Sequence, residues 1–268
     1  MTGKRSLDDV RAYWTDAARQ DVDADGLRPT ARDPFLQQAV EDAMEARLQP
    51  GASLIDIGCG DGRSTIRFAR TTGRTLGVDY IESYVRQAEK LLAGAANPSV
   101  GFAQGNVLDL APIVSRHGTF DIATSIRCLI NVTDWSLQKQ AIGQIASCVK
   151  PGGLYLVSEG WTEGVEGLNR LRERFGLPEF KVVEYNLTMR RNDFEKEAGR
   201  YFEIVDYVSL GFYIFMSRVY QPVFTAPAAP RHDHPINSVA AKLQASPEVR
   251  RTFDECDYAG VYVLRRRG

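Results

Sequence analysis

The sequence predicts an α/β fold, and two features of the chain support this prediction. The stretch LIDIGCGDGRST, Leu54–Thr65, runs from four mostly apolar residues into three alternating glycines and then into a helix-like segment. This order is typical of a buried strand, a tight turn and a helix N-terminus. Strand-like and helix-like segments then alternate along the chain: strands are expected at 75–78, 99–103, 120–125, 154–158, 202–208 and 258–265, and helices at 63–72, 82–94 and 134–148.

The glycine turn predicts a bound ligand. Gly58, Gly60 and Gly62 allow positive φ angles and leave the surface above the strand open, because glycine has no β-carbon. A dinucleotide-binding turn needs a glycine at its sixth position, where this chain has Arg63, so NAD is disfavoured. A P-loop is excluded, since no Gly-Lys-Ser/Thr follows at the required distance. Asp56 would repel a pyrophosphate and favours a ligand that carries positive charge.

Five motifs in order resemble those of the class I S-adenosylmethionine-dependent methyltransferases, whose first motif is an acidic residue followed by GxGxG. They are DIGCGDG from Asp56, GVDY with Asp79, QGNVLDL with Asn106, FDIATSIRCLINV from Phe120 and VKPGGLY from Val149. The resemblance covers roughly residues 35–159. It implies a Rossmann-like sheet, mostly parallel with an antiparallel last strand, with helical cap insertions and S-adenosylmethionine as the cofactor.

The chain is expected to form a single methyltransferase domain, 1–268, with four parts. These are an N-terminal helix and lid at 1–33, a cofactor-binding core at 34–160, and acceptor-site cap insertions at 161–200 and 209–257. The long second insertion is apolar at first and then Pro-rich, and connections of this length are usually functional or disordered.

Two helices are expected before the first strand. The first spans Ser6–Ala18, is capped by Ser6, and could either pack on the core or form a lid over the cofactor and acceptor. The polar stretch DVDADGLRPTARDP is expected to be a mobile hinge loop. A second helix is expected from Pro34 to about Leu48.

Cofactor contacts are expected where the first four strands end. Asp79 ends the second strand, about 20 residues after the glycines, where an acid can accept hydrogen bonds from both ribose hydroxyls. A role for Asp79 in capping the next helix is compatible with this. The resemblance implies that Asn106, with the backbone of Val107, contacts the adenine. The full set of expected cofactor-binding residues is Asp56, Gly58, Cys59, Gly60, Asp79, Tyr80, Asn106, Val107 and Ser125.

Acceptor contacts are expected beyond the fourth strand, in the N-terminal helix and in the insertions. Arg127 follows a buried strand, and its planar guanidinium could hold a carboxylate, phosphate or sugar oxygen of the acceptor. The alternative is a salt bridge to an acidic neighbour. The expected substrate-binding residues are Arg127, Asn131, Tyr13, Trp14, Trp161 and Tyr213.

Methyl transfer to a hydroxyl needs alignment of the reactants and a base for the proton. Histidine suits this role near neutral pH, and we expect His234 to be the base, with His232 and Glu159 as the next candidates. The alternative for His234 is a loop side chain that bonds to the backbone. The pair in RHDHP could also bind a metal, but two ligands are a weak signal and no metal is predicted.

Composition narrows the class of function. The formal net charge of −1 is unlike that of a nucleic-acid-binding protein, and Arg265–Arg267 are expected to form a solvated tail. Four cysteines without a CxxC pair, and the absence of a long apolar run, predict a cytoplasmic protein without a membrane partner.

The expected function is methyl transfer to a hydroxyl or amine of a polar small molecule, either a sugar or a specialised metabolite. A homodimer is one option for the assembly. Alternatives are a C-methyltransferase with the same cofactor site and a cofactor-binding protein without chemistry. An RNA methyltransferase is disfavoured by the near-neutral charge.

Overall fold

A computed structural model describes residues 6–19, 28–94, 97 and 99–268. In this part of the chain seven strands form one sheet in the order β3-β2-β1-β4-β5-β7-β6. The first five strands are parallel, whereas β7 lies between β5 and β6 and is antiparallel to both. The strands are β1 (Leu54–Ile57), β2 (Thr75–Asp79), β3 (Val100–Gln104), β4 (Phe120–Ile126), β5 (Val149–Ser158), β6 (Phe202–Val208) and β7 (Val261–Arg266). The predicted fold class is confirmed.

Helices cover both faces of the sheet. Alternation along β7 illustrates this, because Val261 and Val263 join one hydrophobic cluster while Tyr262 and Leu264 join the other. The helices are α1 (Leu7–Ala17), α2 (Pro34–Glu45), α3 (Arg63–Phe68), α4 (Glu82–Ala93), α5 (Ala111–His117), α6 (Trp135–Cys148), α7 (Thr162–Arg174), α8 (Arg191–Ala198), α9 (Gly211–Phe215), α10 (Gln221–Thr225) and α11 (Pro235–Gln244). None of the described helices is long and apolar enough to cross a membrane.

Several boundaries differ from the sequence prediction. Helices α5 and α8 were not expected, because seven and eight residues are too few to show a clear helical period. The fifth strand was expected at 154–158, but β5 begins at Val149 and includes the KPGG segment. There the pairing with β4 jumps from Val149 opposite Phe120 to Leu154 opposite Ile122.

The N-terminal helix is capped as predicted. The Ser6 hydroxyl accepts the Asp9 N–H, and the Asp9 carboxylate accepts the Ser6 N–H in return, which is a capping box. Of the loop expected to be a hinge, residues 21–27 lie outside the described residues. Its remainder, residues 28–33, lies beside the carboxyl ends of the central strands.

The two insertions pack directly on each other. Helix α7 in the first insertion approaches a 3-10 turn, Asp254–Cys256, in the second. A β-carbon at Gly167 would lie 1.6 Å from the Glu255 carbonyl oxygen, and one at Gly164 would lie 2.1 Å from the Asp257 carbonyl oxygen. Glycine is therefore required for this close approach.

Gly167→Ala should lower the free energy of unfolding by about 3 kcal/mol, because an added methyl group forces the two insertions apart. Thermal unfolding followed by circular dichroism measures the effect. Gly94→Ala is the control, since a β-carbon there would meet only the Leu91 carbonyl oxygen, at an ordinary 3.5 Å. Equal melting temperatures for the two variants would contradict the packing described here.

Candidate cofactor and acceptor site

A cleft lies at the carboxyl ends of β1, β2 and β4, where the strand order reverses. Ligands of open α/β sheets bind at such a point. The cleft consists of a larger cavity of about 410 Å³ and a smaller one of about 220 Å³. Both are lined by Gly58, Asp79, Tyr80, Cys128 and Asn131, so the two cavities adjoin across the glycine turn.

The three glycines of the turn all have positive φ, of 75°, 52° and 78° for Gly58, Gly60 and Gly62. A β-carbon at Gly58 would lie 2.7 Å from the Cys128 sulfur, and one at Gly60 would lie 3.1 Å from the Thr30 methyl group. Because Gly58 and Gly60 have no side chain, Cys128 and Thr30 can lie directly against the backbone of the turn. Gly62 instead allows α3 to pack against Ala88 and Phe102.

Asp79 lies where the two cavities meet. Its two carboxylate oxygens accept the N–H groups of Gly60 and Ile81, each at 2.9 Å. Burial raises the pKa of Asp79 to about 6. Each oxygen can accept a second hydrogen bond, so the fixed carboxylate fits the two hydroxyls of a ribose. The N-cap of α4 is Ile81, and no side chain caps the helix there, so the capping role considered for Asp79 is not found.

The smaller cavity contains Asn106 and Val107. The Asn106 Oδ1 already accepts the Leu108 N–H at 2.9 Å, so only its second lone pair could serve an adenine. Leu7 and Arg11 of α1 form the opposite wall. The N-terminal helix thus covers this cavity, as expected of a lid.

Asp56 and Cys59 both line the larger cavity. The Asp56 carboxylate accepts the hydroxyls of Thr65 at 2.6 Å and Thr124 at 2.8 Å, and burial raises its pKa to about 6. Burial also raises the pKa of the Cys59 thiol. The two hydroxyl contacts therefore hold the Asp56 carboxylate in a fixed position at the edge of the cleft.

The structure does not support Ser125 as a cofactor contact. Its hydroxyl is buried and bonds to the Tyr155 hydroxyl at 2.8 Å and to Glu159 at 3.3 Å, and it lines neither cavity. Side chains alternate along a strand, so the neighbouring Thr124 faces Asp56 and Ser125 faces away.

A buried polar cluster closes the far end of the larger cavity, which we call the acceptor end. The Asp33 carboxylate accepts hydrogen bonds from Arg218 and from the Tyr213 hydroxyl, both at 2.6 Å, and from the Leu36 N–H at 2.9 Å. The His232 Nδ1 lies 3.7 Å from Asp33 Oδ2. Burial alone would raise the pKa of Asp33, but these partners hold it well below its usual range.

Aromatic side chains complete the wall of the acceptor end. The rings of Phe180 and Tyr258 stack with centroids 5.2 Å apart, and both line the cavity with Tyr185. Trp14 packs edge-on against Tyr185, with ring centroids 5.9 Å apart, and its Nε1 donates to the Asn131 Oδ1 at 2.9 Å. Trp14 and Asn131 are thus brought together on the cavity wall, as the sequence predicts for acceptor contacts.

Three residues expected at the acceptor do not line the described cavities. Trp161 is fully buried, donates to the Gly260 carbonyl oxygen at 2.9 Å and packs on Phe194, so it is a core residue. Tyr213 holds Asp33 from behind rather than facing the cavity. Tyr13 packs on Tyr185 and Trp14, with ring centroids 4.2 and 5.2 Å apart, and lies behind these two cavity-lining rings.

Two of the three residues that were expected to act as the base do not line either cavity. His234 is the N-cap of α11, where its Nδ1 accepts the Ile236 N–H at 3.2 Å, and it lines neither cavity. Glu159 is enclosed, and burial raises its pKa to about 7. Its oxygens accept the N–H groups of residues 128–130 at 3.0 to 3.1 Å, so it fixes the turn after β4.

His232 is the one histidine of the chain that lines the cleft. Its partners Asp33 and Arg218 were missed by sequence reasoning, since they are 185 residues apart along the chain. The only local signal was Asp33 before Pro34, which marks a helix start. Among the described residues no group of three or more His, Cys, Asp or Glu could hold a metal.

Comparison with known proteins relates part of the chain to methyltransferases. A family model described as a methyltransferase domain matches residues 54–153. The O-methyltransferase resE of Aspergillus sclerotiorum is 28% identical over 54% of this chain and 59% of that protein. The ubiquinone biosynthesis O-methyltransferase of Azorhizobium caulinodans is 27% identical over 64% of this chain and 63% of that protein. The chain therefore spans less than two thirds of the length of either relative.

A solved structure extends the comparison to the fold. Magnesium protoporphyrin IX methyltransferase (ChlM) from Synechocystis PCC 6803, with bound SAH, has a TM-score of 0.64 over 97% of this chain and 100% of that chain, at 18% identity. Residues 54–153 thus match a methyltransferase domain, and the described part of the chain shares its fold with this solved methyltransferase.

Proposed function

We propose that the protein transfers a methyl group from S-adenosylmethionine to a hydroxyl group of a small molecule, with His232 as the base. The observation that carries this proposal is the placement of His232 on the cavity wall with Asp33 behind it. A hydroxyl must lose its proton on methylation, whereas a carbon already activated needs no such imidazole. Both curated relatives described above are named O-methyltransferases, which also supports oxygen as the acceptor atom.

The cofactor supplies a methyl group on a positively charged sulfur, and the residues of the cleft fit its parts. Asp79 would bind the ribose hydroxyls, while Asn106 and Val107 would contact the adenine. The carboxylate of Asp56 suits the positive charge of the methionine end. Because the glycines of the turn have no side chain, the ligand could lie directly against the backbone at the strand ends.

His232 is oriented by its neighbours. Because its Nδ1 faces the Asp33 carboxylate, Nε2 is the nitrogen that would accept the hydroxyl proton. Asp33 is itself fixed by Arg218, Tyr213 and the start of α2, so the imidazole has a rigid support. This arrangement, a base oriented by a third group, recurs in enzymes that deprotonate hydroxyls.

The walls of the acceptor end favour a planar, ring-containing specialised metabolite over a sugar. Phe180, Tyr185 and Tyr258 present aromatic surface, and Val183 and Ile126 add apolar surface. The formal net charge of −1 supports a small molecule rather than a nucleic acid as the acceptor.

A homodimer and a cytoplasmic location remain predictions. Sedimentation would test the first and cell fractionation the second.

His232→Ala should lower kcat about 10²-fold, since the base is lost. Transfer of a radiolabelled methyl group to a panel of phenols and catechols measures turnover, and calorimetry with S-adenosylhomocysteine should show unchanged affinity. His234→Ala is the matched control from the same loop and should behave as wild type. Near-normal turnover of His232→Ala would show that another group removes the proton or that the acceptor is an amine or carbon.

A further inference from the structure

Arg127 has an unusual backbone. It follows β4 directly and adopts a φ of 52°, a left-handed conformation that is costly for a residue with a β-carbon. The surrounding contacts hold it there, because its N–H donates to the Ser158 carbonyl oxygen at 2.8 Å and its carbonyl oxygen accepts from the Asn131 side chain at 2.7 Å. Strained backbone conformations that surrounding contacts stabilise are found most often at ligand-binding and active sites.

The Arg127 guanidinium lines the larger cavity and has no acidic partner in the described part of the chain. Its Nη2 donates to the Thr30 carbonyl oxygen and to Gln37 Oε1, both at 2.7 Å, and these oxygens are neutral. No carboxylate among the described residues forms a salt bridge with it, so the expected salt-bridge alternative is not found there. Burial lowers the pKa of Arg127, which reflects a positive charge that an anion would stabilise.

Other cations on the cavity wall are either neutralised or exposed. Arg28 pairs with Asp61 at 2.9 Å, and Arg218 pairs with Asp33 at 2.6 Å. Arg32 and Lys181 line the cavity but are exposed to solvent. Arg127 is therefore the cation of the described wall that is best placed to receive an anionic group of a ligand.

The two partners of Arg127 locate it beside the glycine turn. The Thr30 methyl group covers Gly60, and the Gln37 Nε2 donates to the hydroxyl of Ser64, in the first turn of α3, at 3.1 Å. A nucleoside with its ribose at Asp79 and its base in the smaller cavity would extend its remaining part over Gly60 towards this guanidinium. The remaining part of S-adenosylmethionine is its methionine, whose carboxylate is the one anionic group of the molecule.

We propose that Arg127 binds the α-carboxylate of the methionine part of the cofactor, and not the acceptor as the sequence suggested. Asp56 and Asp61 line the same region and complement the positive groups of the methionine. Arg127 would thus fix the end of the cofactor that is farthest from the adenine. This inference rests on the cofactor assignment and is independent of which atom of the acceptor is methylated.

The test is a titration that needs neither acceptor nor turnover. S-adenosylhomocysteine carries the carboxylate, whereas 5′-deoxy-5′-methylthioadenosine lacks the whole amino-acid end. Arg127→Met should weaken the first ligand about 30-fold, as expected for lost charge-assisted hydrogen bonds, and leave the second within about twofold. Arg127→Lys should give an intermediate loss, because it keeps the charge but not the planar fork. Lys90→Met is the control, because Lys90 is exposed and lines neither cavity, and it should leave both affinities unchanged.

Circular dichroism establishes that each variant is folded, and Arg127→Lys serves as the test if the methionine variant is not. Unchanged affinity for S-adenosylhomocysteine would overturn the proposal and return Arg127 to the acceptor. Equal losses for both ligands would also overturn it, since they would indicate a disturbed turn. Failure of hydroxyl methylation, with the ligand-selective loss retained, would affect only the proposed function.

Discussion

Replacing Gly60 with valine is expected to weaken S-adenosylhomocysteine binding by at least about 10³-fold while the protein stays folded. Gly60 has a φ of 52°, and a β-carbon there would lie 3.1 Å from the Thr30 methyl group. A branched side chain would therefore displace Thr30. It would also occupy the space above the turn, where we propose that the middle of the cofactor lies. Calorimetry measures the affinity, and thermal unfolding measures the remaining stability.

Gly51→Val is the matched control for Gly60→Val. Gly51 also has a positive φ, of 78°, but a β-carbon there would meet nothing within 4 Å. Both variants carry the backbone cost of a non-glycine residue at positive φ, so both should lose stability. Only Gly60→Val should lose the ligand. Normal binding by that variant would show that the glycine turn is not the cofactor platform.

Asp79→Ala should weaken S-adenosylhomocysteine binding by between about 10² and 10⁴, because two charge-assisted hydrogen bonds of ~1.5 to 3 kcal/mol each are lost. Asp79→Asn is the more conservative variant, since it preserves the size of the side chain beside the N–H groups of Gly60 and Ile81. We expect its loss to be smaller than that of alanine. Unchanged affinity in a folded alanine variant would contradict the ribose assignment.

The same carboxylate predicts a pH dependence. Burial raises the pKa of Asp79 to about 6, so the group is charged above that pH and protonated below it. Ribose hydroxyls donate to the charged form, and affinity should therefore fall as the pH is lowered from 8 to 5. The fall should be shallower in Asp79→Asn, with Asp56, whose pKa is also about 6, contributing the remainder. A flat profile for the wild type would contradict this assignment.

The glycine turn and its position at the strand ends could be predicted from the sequence because their signals are local. The strand, the glycines and the helix start lie within Leu54–Thr65, and Asp79 ends the next strand. Ser125 was expected to contact the cofactor, but its hydroxyl bonds to Tyr155 and Glu159 inside the protein. Thr124 has its hydroxyl on Asp56, on the side of the sheet that Ser125 does not face.

The acceptor half depends on contacts between distant segments, which no local pattern shows. Asp33 bonds to Tyr213 and Arg218, which follow it by 180 and 185 residues in the sequence. His232 and His234 could not be separated from the sequence, since both stand in one polar loop. The structure separates them, because Pro235 begins α11 and His234 is used as its cap.

Trp161 shows a second limit of sequence reasoning. An aromatic residue at the start of an insertion suits either an acceptor pocket or a core. The choice depends on the helix that follows, and here Phe194 of α8 covers the indole. Helix α8 was itself too short to be predicted, so the burial of Trp161 could not be foreseen.

The most direct test of the central claim is to incubate the wild-type protein with S-adenosylmethionine bearing a deuterated methyl group and a panel of phenols and catechols. Mass spectrometry of the products locates the label by fragmentation. The structure predicts a labelled methyl ether, formed by wild type and His234→Ala and strongly reduced in His232→Ala. Label on nitrogen or carbon, or cofactor binding without transfer to any hydroxyl, would contradict the proposed function.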